Sequence, residues 1–530
     1  MKNMYKKIVY LCSLFLLLNS CSDNEFGMEE KTSPVEKSSC GVISLGEKEE
    51  SPLLLRNMQR AMDSLSARSG LKSTIVLKPT HYYVRFLPED TAAYERVIRD
   101  TSLYVTPYPL DYEVSEGETY HDPSIPEGKI TWQYTVVPVD YDLSSINVHY
   151  EKLEDLYIQN EDLDNEDAVV VDGAQLKSGG AQSHKITWKQ LVNESISQTT
   201  GETNTLKSKW TPQATIRAYD DIVGGFIPLQ GVKVRIRYFA FLHAYHYTDA
   251  YGHVSFSKKR TKVEYSIEWE RDKWDIRDNH VQAYYNGPHK KSSWDLYIGT
   301  WTPKSLHYSA IHRALYKYYY GNTLGVTKPS HSLKISYKTG SDPDGHAKAS
   351  TSAAKVRTWY WWLSAIKVYQ KAPSGAEPRK VSEVLATTIH ELTHASLDCR
   401  LTKSQYEKTS SLVKESWSVF VEWLFMRDIY YHNTEIIDET YMEGSWPSVK
   451  RSKSYSPLFI DLVDDVNQNK EDESAPFDEL SGYTIYSINA AIPNFRSLSD
   501  IEKFMKQNKP KGVTDKLIDK YLETYKKYKL

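Results

Sequence analysis

Residues Thr387 to Arg400 read TTIHELTHASLDCR, with His390 and His394 four apart and Glu391 directly after the first. On an α-helix that spacing puts both imidazoles on one face, one turn apart. Val381, Val384, Leu385, Thr388, Ile389, Leu392 and Ala395 recur every three or four residues around them. The stripe predicts a helix with one face on a core, with Pro378 in its first turn. A neighbouring face is left for the histidines. Each can present a neutral ring nitrogen to one Zn2+ ion at about 2.0–2.1 Å. Glu391 follows about 100° around the axis, so it approaches a water on the ion rather than the ion itself. Zinc lowers the pKa of such a water toward neutrality, and the carboxylate can remove its proton. The bland alternative is two surface histidines beside a common acid.

Two histidines and a water leave tetrahedral zinc one protein ligand short. The pattern that continues to a third histidine needs Gly at position 397 and His at 400. Leu397 and Arg400 stand there. Further on, Lys414-Glu415-Ser416-Trp417-Ser418-Val419-Phe420-Val421-Glu422-Trp423 forms part of a strongly apolar, helix-length segment, and 20 residues separate His394 from Glu415. From Glu415 to Trp423 the chain resembles the N-E-G-F-A-S-F-F-E-F helix that carries the third zinc ligand in gluzincin aminopeptidases. The resemblance implies that Glu415 completes the metal set with His390 and His394. It makes Glu422, two turns along the same face, a structural or supporting carboxylate. There are departures. The G-A-M-E-N exopeptidase signature is absent, with only Tyr441-Met442-Glu443-Gly444 as an echo, and Val419 stands where thermolysin-type enzymes carry Asp. The spacing also suits the enhancin-like, mucin-directed gluzincins. The likeness is therefore to the gluzincin metal site, not to one family within it. Such sites carry a Tyr or His that stabilises the oxyanion, and Tyr430, Tyr431, His432 and Tyr455 all remain open for that role. Asp398, one turn beyond His394, is either a supporting carboxylate or a plain helix-end one.

The chain of 530 residues suggests about three or four domains. Hydrophobic content of 40% and charged content of 25% suit a globular protein. The 40 tyrosines and 13 tryptophans suit strand-rich domains, and also surfaces that stack on sugars or grip peptides. Lys2, Lys6 and Lys7 precede an apolar stretch, Ile8 to Leu18, that is too short to span a bilayer. It ends in Leu18-Asn19-Ser20-Cys21, which resembles a bacterial lipobox. That resemblance implies removal of residues 1–20 and lipidation of Cys21. An ordinary signal peptide is the alternative. Ser22-Asp23-Asn24-Glu25 resembles the acidic signal that sends Bacteroidota lipoproteins to the outer face of the outer membrane. With Cys12 lost and Cys21 acylated, Cys40 and Cys399 remain, which is neither a disulfide framework nor a Cys-rich metal site. A net charge of −3 gives no electrostatic footprint for nucleic acid.

Residues 21–70 are polar and read for the most part as a flexible tether, with one plausible helical patch at Leu53-Leu54-Leu55-Arg56-Asn57-Met58. Residues 71–209 read as a β-rich N-terminal domain, with strands at Thr74–Leu77, Tyr82–Phe86 and Thr131–Val137. This block resembles a module found in front of other large Bacteroidota lipoproteins. Asp162 to Asp167 lacks the Gly and Glu of a calcium loop, so it reads as a solvated acidic loop. In 210–275, Gly231 to Tyr238 alternates apolar and charged residues like a half-buried strand. Together with Thr248 to Phe256 this unit resembles the transthyretin-like or carboxypeptidase-regulatory β-sandwich. His243 and His246 read as ordinary strand residues. Residues 276–530 read as a mostly α, zincin-like domain, with a helix from Tyr308 to Tyr320, a loop around Ser341–Gly345 and an aromatic run at Trp359–Trp362. The expected fold is thus multidomain, with β-rich N-terminal modules before a mostly helical C-terminal domain.

Together these features suggest a lipid-anchored zinc endopeptidase on the outer-membrane surface, acting on extracellular or envelope proteins, glycoproteins included. The rival is an inactive surface lipoprotein that binds glycans or proteins. It would hold no metal and would not depend on Glu391.

Overall fold

A computed structural model describes residues 41–69, 75–161, 163, 168–172, 185–201, 209–341, 366–371, 377–439, 441, 455–467 and 477–527. Residues 1–40, among them Cys21 and the stretch expected as a signal segment, most of the acidic loop at 162–167, the loop after Ser341, the aromatic run at 359–362 and residues 442–444 lie outside that set. Gly41–Leu530 forms one compact unit.

The stretch expected to be tether is folded from Gly41 to Ser69. Helix α1 (Leu55–Arg68) buries Met58, Ala61 and Met62, and Leu53 and Leu54 just before it are buried too. This narrow apolar stripe, hidden in a polar composition, packs on α3 (Trp188–Thr200). The short α2 (Thr91–Val97) lies between them in sequence, capped by the Asp90 side chain. Three antiparallel strands form the N-terminal sheet in the order Gln133–Pro138, His81–Leu87, His149–Leu156. Ile75–Leu77, expected as a strand, belongs to no sheet. The Gln59 side chain of α1 bonds the Ile75 carbonyl and the Leu77 N–H, so this backbone is satisfied without a ladder.

The sandwich has one sheet ordered Leu242–Tyr247, Lys233–Tyr238, Val263–Glu268, Tyr284–Lys290. The other is ordered His253–Ser255, Gln213–Asp220, Trp294–Ile298. Its strands therefore run well past the expected end at residue 275. Between Val263–Glu268 and Tyr284–Lys290 the chain leaves for a third sheet. There Trp274–Asp278, Leu333–Ser341 and Ile366–Lys371 lie parallel, with Glu270–Arg271 antiparallel at the edge. Parallel neighbours need a crossover, and α4 (Pro303–Tyr319) lies on the first of these connections. The boundary at 275 thus cuts across two interleaved sheets. The strand Lys233–Tyr238 is buried on both faces rather than half-buried. Its charges are paired: Lys233 and Arg235 meet Glu268 at 2.7 and 2.6 Å, and Arg237 meets Glu264. Arg235 also lies over the Tyr104 ring, and Arg237 donates to the Leu110 carbonyl, so the N-terminal domain covers this face.

The C-terminal part is mostly helical among the described residues. It holds α5 (Val381–Arg400), α6 (Lys403–Lys408), α7 (Ser411–Ile429), α8 (Thr434–Asp438), α9 (Ile485–Ala491), α10 (Leu498–Gln507) and α11 (Asp515–Lys527). Pro378 is not in α5; it bridges to Lys371, and the helix opens three residues later. Helix α7 is apolar over most of its circumference, as a largely enclosed helix must be. Val413, Phe420, Val421 and Phe425 are fully buried, and Trp417 packs edge-on against Phe459. No helix among the described residues is long and apolar enough to cross a membrane.

Candidate metal centre

Helix α5 is held at its N-terminus by a residue 161 positions earlier in the chain. Asp221, at the end of a sandwich strand, accepts from the Ser382 N–H at 2.8 Å and from its hydroxyl at 2.6 Å. A carboxylate here satisfies an orphan amide and complements the helix dipole. Asp220 next to it is fully buried and accepts from Arg313 of α4 and Tyr430 at the end of α7, each at 2.6 Å. Burial would raise its pKa, but the Arg313 charge together with the hydrogen bonds from Tyr430, the Val223 N–H and Arg313 holds the carboxyl below its ordinary value. One turn of the sandwich therefore fastens all three long helices around the site.

His390, Glu391 and His394 are all buried on α5. Nε2 of His390 and Nε2 of His394 lie 3.2 Å apart, and Oε2 of Glu415 lies 3.1 and 3.2 Å from them. These three side chains form a group able to hold a metal ion. Bonds of about 2.0–2.1 Å at tetrahedral angles set ligand atoms about 3.3–3.4 Å apart, so the observed triangle is one face of such a shell, slightly contracted.

The outward nitrogens explain why the inner ones converge. Glu422 Oε2 lies 3.0 Å from Nδ1 of His390, and a carboxylate there requires Nδ1 to carry the proton. In the neutral ring Nε2 then turns its lone pair on the Glu415 carboxylate. Ser418 Oγ lies 3.3 Å from Nδ1 of His394 and is able to accept from it when that nitrogen carries the proton. Three lone-pair atoms facing one another need a cation or a proton between them. Burial alone would lower the pKa of His390, yet the bonds to Glu415 and Glu422 raise it to about 10. Burial would raise that of Glu415, but His394 and His390 hold it well below the usual carboxylate range. The site is thus built to attract positive charge.

Glu415, Ser418 and Glu422 follow an i, i+3, i+7 spacing, a single polar stripe on an apolar helix. His390 meets Glu422 while His394 meets Ser418, so α5 and α7 run antiparallel here. Tyr441 donates to Glu422 Oε1 at 2.6 Å and fixes its other oxygen. Sequence reasoning missed Ser418 as a partner of His394. The stripe spacing from Glu415 was the available signal. It also missed Asp220, Asp221 and the role of Tyr441, for which no local signal exists.

Of the four open candidates for oxyanion stabilisation, Tyr455 is the one brought to the site. Its ring lies 5.7 Å from that of His390, and its hydroxyl bonds Glu415. Burial, with the charges of Glu415, Glu391 and Glu422, pushes its pKa far up, so the phenol stays protonated. Tyr430 is engaged by Asp220, and Tyr431 is exposed with its ring against His432. Asp398 is buried in the last turn of α5, but Nδ1 of His394 is met by Ser418 instead. His243 is bonded to Arg235 in the sandwich, and burial, with the Arg235 charge, lowers its pKa to about 3. A cavity of about 1000 Å³ lies elsewhere, between the N-terminal strands, the sandwich and the third sheet; Tyr104, Tyr245, Tyr247, Trp274 and Arg277 help to line it.

No family model, curated protein or solved structure matches the chain.

Proposed function

We propose that the protein is a zinc-dependent endopeptidase of the gluzincin type, anchored through a lipid on Cys21 and acting on extracellular or envelope proteins at the cell surface. The observation that carries this reading is the meeting of His390 Nε2, His394 Nε2 and Glu415 Oε2 within 3.2 Å of one another, with Glu391 buried beside them. A Zn2+ ion held there would acidify a bound water and polarise a peptide carbonyl. Glu391 is then the general base and afterwards hands the proton to the leaving amine. Tyr455, kept protonated, supplies a hydrogen bond to the developing oxyanion. Glu422 and Ser418 keep the two imidazoles in the tautomer that leaves Nε2 open.

The test is metal analysis of the purified protein together with cleavage of a peptide library, with and without chelator. Glu391→Gln should retain one zinc per chain and lose about 10²–10⁴ in turnover. Cleavage by that variant at the wild-type rate rejects the assignment.

The cavity between the N-terminal strands, the sandwich and the third sheet supports a second reading, in which the protein binds a glycan or peptide and does not cleave it. Aromatic faces beside buried charges suit sugar rings and peptide backbones alike. This reading predicts binding that survives both chelation and Glu391→Gln.

A further inference from the structure

Away from the histidines, three carboxylates meet beneath the C-terminal helix. Asp461 and Asp464 belong to a helical turn closed by bonds from Ile460 and Asp461 to the Pro457 carbonyl and from Asp464 to the Ile460 carbonyl. A spacing of three puts them on one side of that turn. Asp478 arrives from another segment, which is tied to the first by its N–H on Asn467 Oδ1 at 3.2 Å and by the Tyr483 N–H on the Leu462 carbonyl. One oxygen from each of the three lies within 4.8 Å of the others.

These carboxylates are not a solvated face. Asp461 is 0% and Asp478 3% exposed. Oδ2 of Asp461 accepts from Tyr521 of α11 at 2.6 Å, and Oδ1 of Asp478 accepts from the Leu480 N–H at 2.9 Å. Their other oxygens, Oδ1 of Asp461 and Oδ2 of Asp478, are shielded from solvent with no hydrogen-bond partner. No Lys, Arg or His forms an ion pair with any of the three among the described residues. Buried carboxylates left this way are strongly unfavourable unless a proton or a cation joins them. The donors are all oxygens, with no nitrogen or sulfur, which selects a hard cation over zinc. A Ca2+ shell, with bonds of about 2.3–2.6 Å, spans about 4.6–5.2 Å and accommodates the separation.

We propose that Asp461, Asp464 and Asp478 form a structural Ca2+ site, separate from the histidine cluster. The ion pins the Pro457–Val463 turn and the Phe477–Leu480 segment under α11. The same turn follows directly from Tyr455 and Ser456, and Ser456 bonds Ser416 of α7 at 2.6 Å. The site thus braces the segment that carries Tyr455, without depending on what that residue does. Burial first, and then neighbouring carboxylates inside and outside the cluster, raise all three carboxyls, Asp464 to about 7 and Asp478 to about 8, so protonation is the competing way to fill the cluster.

The two are separated on the full chain, stripped of metal by dialysis against chelator. Tb3+, a luminescent stand-in for calcium, should be sensitised by Tyr521 and Tyr525 and displaced by Ca2+. The signal should persist in Glu415→Ala and vanish in Asp461→Asn/Asp478→Asn. That double variant is close in shape and relieved of repulsion, and circular dichroism checks its fold. A hundredfold calcium excess over Kd should raise the wild-type Tm by about 2–3 °C. Tb3+ emission that survives in the double variant overturns the site. So does a wild-type Tm indifferent to calcium, which would mean that protons hold the cluster.

Discussion

His390, His394 and Glu415 meet with their outward atoms already engaged: Glu422 holds one imidazole, Ser418 the other, and Tyr441 holds Glu422. Asp461 and Asp478 are buried at least as deeply and Asp464 partly so, but Oδ1 of Asp461, both carboxylate oxygens of Asp464 and Oδ2 of Asp478 are shielded from solvent with no hydrogen-bond partner. One cluster is braced by protein on every side and keeps an opening of defined shape. The other is a concentration of like charge that the fold alone leaves unbalanced. A braced site can set geometry finely enough for chemistry, whereas an unbraced one relies on its ion to hold the surrounding chain together.

The contrast predicts opposite responses to the loss of one carboxylate. The largest effect belongs to Glu415→Ala, which should abolish turnover and sharply lower zinc affinity; equilibrium dialysis and a peptide assay measure both. Full zinc retention in that variant would move the third ligand elsewhere. Next in size is Asp220→Ala, which strands the buried Arg313 and should cost about 3–5 kcal/mol of stability by denaturant titration. A cost below about 1 kcal/mol would show that the sandwich does not brace the helices. Glu422→Gln should weaken zinc binding by about 10–100-fold while leaving the stoichiometry at one. An unchanged affinity would deny Glu422 its part in orienting His390.

The smallest effect separates the clusters by pH. Asp464 and Asp478 have folded-state values of about 7 and 8, raised first by burial and then by neighbouring carboxylates. The folded state therefore binds more protons than the unfolded one between about pH 4 and 8. In calcium-free protein this stabilisation is complete at the acid end and lost as pH rises through that window. Calcium should flatten the slope, and Asp461→Asn/Asp478→Asn should flatten it without calcium. Thermal unfolding at a series of pH values reads all three. An equal slope in every case would show that the aspartates do not titrate in folding.

Legibility in the sequence tracks the distance over which each feature is built. The histidine pair and Glu391 come from α5, and Glu415 and Glu422 from α7. The periodicity of each helix aligns its residues before any tertiary contact forms. The strands at 81–87, 133–138 and 233–238 were visible for the same reason. The burial of Lys233, Arg235 and Arg237 was not, because their charges are cancelled by Glu264 and Glu268 from a neighbouring strand. Only the start of α1 showed in the sequence, as the patch at Leu53–Met58; its extension to Arg68 did not, since its few further apolar residues count only once α3 lies against them.

What the sequence by itself determined is the helix that presents His390 and His394, the helix that returns Glu415, and the strand-rich character of the chain before them. Each follows from side-chain order at the period of a single element. Only the tertiary structure decided that Asp220 and Asp221 of the sandwich fasten those helices, that Trp274–Asp278 leaves the sandwich for the parallel sheet, that Tyr455 rather than Tyr430 reaches the site, and that three separated aspartates share one buried space. These depend on contacts between residues far apart along the chain. No local pattern encodes such contacts, because the free energy that selects them is the burial and pairing of groups that meet only when the layers pack.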